Sequence, residues 1–191
     1  MKNKCFQFIF ISIVFLVSST VSAQNRWMVT IKPAVNFPTS KLATTELKTG
    51  YGAEATISYR LLPFISVYSG WGWDHFTVDQ PFAGIEADFE ETGYVFGFQL
   101  RQPAQRWDYI AGAGAIYKHI EVEDENGDLV ENSKHGWGWQ VFAGISIPLS
   151  ARLQLSPILK YQTLSRDLLL NNNASVDLNY LSVAAGIAWS F

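Results

Sequence analysis

What this chain lacks narrows it first. Its single cysteine, Cys5, lies in the first few residues, ahead of an apolar run at 6–17. Everything downstream is free of disulfides, thiol chemistry and cysteine-bound metal. After residue 23 no apolar stretch approaches the ~20 residues that a membrane-spanning helix needs. Basic residues are also scarce. The whole chain has 14 Lys and Arg against 17 Asp and Glu, and without Lys2 and Lys4 the balance is 12 against 17, a net charge of −5. Such a balance excludes a nucleic-acid partner, which needs a basic face. No phosphate-cradling, dinucleotide or zinc-ligand spacing occurs, and Gly112-Ala113-Gly114 sits inside an extended segment, where glycine serves close packing.

The start of the chain reads as a secretory signal peptide. Lys2 and Lys4 precede the 6–17 run, and small residues at Val21 and Ala23 mark cleavage after Ala23. Cys5 precedes the apolar run, which excludes a lipid-anchored cysteine. Residues 24–191 are then one domain. Aromatic residues are 15% of the chain and glycines number 14. That enrichment, spread over short alternating segments, points to an all-β fold.

The final stretch shows the alternation best. Leu181, Val183, Ala185, Ile187, Trp189 and Phe191 fall on one side; Tyr180, Ser182, Ala184, Gly186, Ala188 and Ser190 fall on the other. A period of two means a strand. Seven more segments repeat it, at 27–37, 50–61, 64–74, 92–101, from 107 to 118, 136–148 and 152–164. Pro33 inside the first costs a ladder hydrogen bond, so a bulge is expected there. The gaps alternate long and short, as in an up-and-down meander with both termini on the side of the tight turns. Large apolar residues outside and small or polar ones inside are the pattern of a transmembrane barrel. Aromatics gather at segment ends, as interfacial girdles would place them: Trp27, Tyr59, Trp71, Tyr109, Tyr117, Trp137 and Trp189 are among them.

The cleavage-type Val21-Ser22-Ala23, the eight alternating segments and the terminal Ala188-Trp189-Ser190-Phe191 together resemble the small eight-stranded OmpA/OmpX-type outer-membrane β-barrel family. The resemblance covers essentially the whole mature chain. It implies an outer-membrane location in a Gram-negative-type cell, contact with membrane lipid and lipopolysaccharide, and recognition by the barrel-assembly machinery through the last strand, ending at Phe191. No domain follows Phe191, so a tether to the cell wall is not expected.

The inward set carries both charge signs: Glu54, Asp74 and Asp108 with Lys32, Arg60, Arg101, Lys118, Arg152 and Lys160. These are expected to pair across a filled lumen. Acids crowd two stretches, six in 74–91 and six in 121–131. The second contains Asn126-Gly127, a strong turn signal, and reads as a hairpin standing in water whose removal leaves the barrel intact. Cation binding there finds little support: Asp124, Asn126 and Asp128 resemble a calcium loop, but Leu129 holds the position that requires glycine. His75, His119 and His135 lie near outer strand ends. Ser133 and Glu121 stand near them, the ingredients of a lipid-modifying rim enzyme, but no tight His-x-Ser pair occurs. No catalytic residue, metal ligand or cofactor is assigned. The expectation is a non-enzymatic outer-membrane barrel with an envelope-structural or surface-interaction role through acidic outer loops. A rim enzyme and a secreted lipocalin-like carrier are the alternatives. The carrier would leave six tryptophans in water.

Overall fold

The computed structural model describes residues 26–40, 47–78, 87–124, 129–168 and 174–191. The signal peptide expected at 1–23, Asn126 and Gly127 where a turn is expected, Asp128, and Asn171 to Asn173 lie outside them.

Among the described residues nine strands form in chain order: β1 (Trp27–Pro38), β2 (Gly50–Leu62), β3 (Ile65–Thr77), β4 (Ala87–Pro103), β5 (Asp108–Asp124), β6 (Leu129–Asn132), β7 (Gly136–Pro148), β8 (Leu153–Leu168) and β9 (Ala174–Ser190). Each neighbour pair is antiparallel. The order β4-β3-β2-β1-β9-β8-β7-β5 is closed by a β4–β5 ladder, which makes an eight-stranded barrel, and β6 is a short addition beside the outer end of β5. The termini close onto each other, with Phe191 N donating to the Trp27 carbonyl. Closure matters energetically because a strand edge in lipid leaves unpaired N–H and C=O groups.

The register at Pro33 corrects one expectation. β1 pairs β9 as Ile31↔Ile187 and again as Ala34↔Ala184, with no shift between. Pro33 therefore leaves a gap in the ladder and not a bulge; on the other side Pro33↔Ala53 remains in register. Among the described residues the register shifts instead between β2 and β3, at Arg60 and Leu62, and between β5 and β6, at Val122 and Glu123.

Five strands run further outward than the alternation indicates. β3 reaches Thr77, β4 begins at Ala87, β5 continues to Asp124, and β8 and β9 pair up to Leu168↔Ala174. In these extensions polarity inverts. Phe76, Phe89, Ile120, Val122, Leu164 and Leu178 point inward and are almost fully buried, while polar residues face out. That is the rule for a wall in water, and a reading keyed to apolar residues outside stops where it begins. The expected free-standing hairpin is corrected for the same reason. Residues to Asp124 are barrel wall, Val122 is part of the core, and a deletion of 121–131 removes core as well as hairpin.

Candidate functional site

Four layers fill the bore. Nearest the tight turns, Arg101 donates to Asp108 Oδ2 and to Gln154 Oε1, both at 2.9 Å, and Ser146 donates to the same Gln154 oxygen at 2.8 Å. Next come Tyr68 and Phe142, edge to face at 6.0 Å, with Ile110 and Ile158. The two isoleucines of β5 that broke its alternation, Ile110 and Ile116, are lumen filling. Beside the rings, Glu54 accepts from Lys32 and lies 3.4 Å from Lys160 Nζ.

The third layer is ionic. Lys118 Nζ lies 2.9 Å from Asp74 Oδ2 and 3.2 Å from Glu91 Oε1, and all three side chains are buried. Tyr180 donates to Asp74 at 2.8 Å, Asn36 donates to its other oxygen at 2.7 Å, and Gln162 donates to Glu91 and to the Tyr180 hydroxyl. Two glycines make room for the lysine. A Cβ on Gly72 would stand 3.2 Å from Lys118 Nζ, and one on Gly93, whose φ is +148°, would stand 2.7 Å from Lys118 Cα. The fourth layer is the apolar lid of Phe76, Phe89, Ile120, Val122, Leu164 and Leu178.

The lumen charges thus balance: Lys32, Lys118, Lys160 and Arg101 against Glu54, Asp74, Glu91 and Asp108. Eight buried or half-buried charges each have a partner, which is the condition for tolerating them. Arg152, expected in this set, is exposed in the β7–β8 turn instead, whereas Arg60 is half-buried at the turn end of β2, near enough to Arg101 for the two charges to interact. Glu91 was invisible in the sequence because it sits in the extension read as loop. Among the described residues, two lumen cavities measure about 20 and 10 Å³, room for little more than single waters.

The outside is an apolar belt. Trp137, Phe98, Tyr94 and Ile31 are all more than half exposed. On β5 it runs from Tyr109 to Tyr117, eight positions, or about 26 Å along the strand and ~20 Å of membrane thickness at a usual barrel tilt. Its upper border is a directly paired row, Trp71↔Tyr94, Tyr94↔Tyr117 and Tyr117↔Trp137.

Above that row a polar collar begins. Cross-strand partners there are His75↔Glu90, Glu90↔Glu121 and Asp88↔Glu123. Two successive like-charge pairs face each other, a destabilising arrangement. Neighbours ease part of it. Trp73 Nε1 donates to Glu90 at 2.9 Å, His75 Nδ1 lies 3.3 Å from the same carboxylate, and His119 Nε2 lies 2.8 Å from Glu121. Partial burial, then Glu90 and Glu121, push the Glu123 carboxyl above its ordinary range. Oxygens of Glu90, Glu121 and Glu123 lie within 4.8 Å of one another, the span of opposite ligands around a hard divalent cation.

The histidines separate into two groups. His75 stacks on Trp73 and Tyr51, whereas His119 and His135 lie together, Nδ1 to Nε2 at 3.0 Å. Ser133 is engaged with the backbone. Its hydroxyl accepts from Ile120 N at 2.8 Å and reaches the Lys134 carbonyl at 3.3 Å, so it holds the base of the hairpin.

No protein-family model matches the chain, and no curated protein matches it in sequence. Solved structures do match. The crystal structure of Neisserial surface protein A aligns with a TM-score of 0.65 at 13% identity, over 88% of this chain and 98% of that one. The outer membrane protein OprG from Pseudomonas aeruginosa aligns with a TM-score of 0.61 at 12% identity, over 86% and 95%. E. coli Outer Membrane Protein W gives 0.53 at 13% identity, over 90% and 100%. The fold is that of the small outer-membrane β-barrels.

Proposed function

From an outer-membrane barrel as premise, we propose a non-enzymatic envelope protein that works through its outer surface, with the lumen serving as a structural core. The observation that carries this reading is the filled bore: four layers of paired charge and packed rings among the described residues, around cavities of about 20 and 10 Å³. A transport path needs a continuous wet or exchangeable route, and here the eight charges of the described lumen layers are already matched inside the wall.

The working surface in this reading is the collar of Asp88, Glu90, Glu121 and Glu123, set just above the Tyr94 row where lipid headgroups lie. Its acids repel lipopolysaccharide phosphates directly, so contact with that layer runs through divalent cations. The β9 strand ending at Phe191 is the segment offered to the barrel-assembly machinery. The rim-enzyme alternative loses its nucleophile, because the Ser133 hydroxyl is held by Ile120 and Lys134.

Planar-bilayer recording on the refolded mature protein tests the sealed lumen. The expected result is membrane leak alone at 1 M salt. Reproducible unitary steps, retained when the outer loops are shortened, would overturn the reading and favour a conducting barrel.

A further inference from the structure

The end of the barrel away from the collar has an unusual charge. Five of the six arginines, Arg26, Arg60, Arg101, Arg106 and Arg152, stand at the end with the termini and tight turns. Among the described residues the only side-chain carboxylate there is Asp108, already joined to Arg101. The outer end is acidic, so the molecule is strongly polarised along its axis.

The remaining four arginines are distributed one to a corner, and each has a large exposed apolar companion. At the closure of β1 with β9, Arg26 stands next to Trp27, with Phe191 beside it in the ladder. In the β2–β3 turn, Arg60 precedes Leu62 and Phe64. In the β4–β5 turn, Arg106 precedes Trp107, and in the β7–β8 turn Arg152 follows Leu149. All of these apolar side chains are 40–57% exposed. They lie at or beside the inner aromatic border, where Trp27 meets Tyr59 with rings 4.8 Å apart.

We infer that this rim is a binding collar for the anionic phospholipids of the periplasmic leaflet. Phosphate is the group that arginine's planar fork holds best. The apolar companions suit the acyl boundary below the headgroups, as in interfacial segments generally. The pattern's circumferential repeat selects lipid as the occupant. A docked protein would meet one side of the barrel, whereas lipid surrounds all of it, and here every corner carries the same pair. Arg101, tied to Asp108 inside the lumen, is not part of the rim; of the other four, Arg26 also donates to the Tyr59 hydroxyl at 3.3 Å and Arg60 is half-buried, while Arg106 and Arg152 are exposed.

The test uses the refolded mature barrel in nanodiscs of equal phosphatidylglycerol and phosphatidylcholine, released for native mass spectrometry with its retained lipids. A preference for phosphatidylglycerol of about five-fold or more is expected, the scale of one arginine at an anionic surface, and it falls at high salt. Replacing Arg26, Arg60, Arg106 and Arg152 by Gln removes it; replacing the same four by Lys keeps most of it. If the fourfold Gln variant does not fold, the pair R106Q/R152Q, both in exposed turns, lowers the preference at least two-fold. No preference in the native chain, or one unmoved by the Gln changes, overturns the inference. So does a preference abolished by E90Q or E121Q in the opposite collar. The nanodisc reads headgroup choice itself, so its failure leaves the sealed-barrel reading untouched, and a conducting barrel leaves this result untouched.

Discussion

Replacing Lys118 with methionine is expected to destabilise the folded barrel by about 3–5 kcal/mol, the cost of leaving a buried ion pair without one partner. Lys118 is fully buried and serves two carboxylates at once, Asp74 and Glu91. Methionine keeps most of the volume in the slot over Gly72 and Gly93, so packing changes little. What remains is an uncompensated double negative charge below an apolar lid. The measurement is the urea midpoint of the barrel in lipid vesicles, followed by tryptophan fluorescence. Adding Asp74→Asn and Glu91→Gln to the methionine variant restores most of the loss, since the neutral trio has no charge to strand. A loss no larger than that from changing exposed Lys134 would mean that the third layer is not buried ionic structure.

Removing the lid ring of Phe76 is the second large effect. Phe76→Ala is expected to cost ~3–5 kcal/mol, because the ring is completely buried and meets Tyr180 edge to face at 5.1 Å. The damage is local. Amide exchange quickens for Phe89, Ile120 and Leu178 at the outer end, while the belt strands β1 and β2 keep their protection. Uniform loss of protection over the barrel would show instead that the lid is not a separable layer. Since the ionic layer beneath still blocks the bore, this variant remains non-conducting.

The two results mark where the sequence was readable. Inside the belt a strand presents large apolar residues outward and small or charged ones inward, and that period of two is unbroken in β1, β2, β7 and the end of β9. The inward acids and bases could therefore be assigned, and Lys32 with Glu54 and Arg101 with Asp108 are pairs that the alternation already placed on one side. Beyond the belt the solvent changes from lipid to water and the outward face becomes polar. Phe76 and Phe89 then look like loop residues, Val122 like one arm of a free hairpin, and Glu91 goes with the loop. Their signal was present as a phase-inverted alternation, His75-Phe76-Thr77 and Asp88-Phe89-Glu90, readable only once inversion is allowed. The acidic collar needed more. Glu90 and Glu121 are 31 positions apart, and only the β4–β5 register sets them face to face. Ser133 shows the opposite limit. Nearness in sequence to His135 suggested chemistry, but a hydroxyl close to a strand end is as readily taken by an unpaired backbone amide, and Ile120 N takes it.

The most direct test of the whole account is where the protein resides and how it migrates. Outer-membrane fractions from cells expressing the full chain would be run on a denaturing gel with and without boiling. A closed barrel with lipid outside and paired charge inside predicts outer-membrane recovery and a faster band before boiling than after. A soluble product whose mobility ignores boiling would contradict it, and would mean that the apolar face is the inside of the barrel.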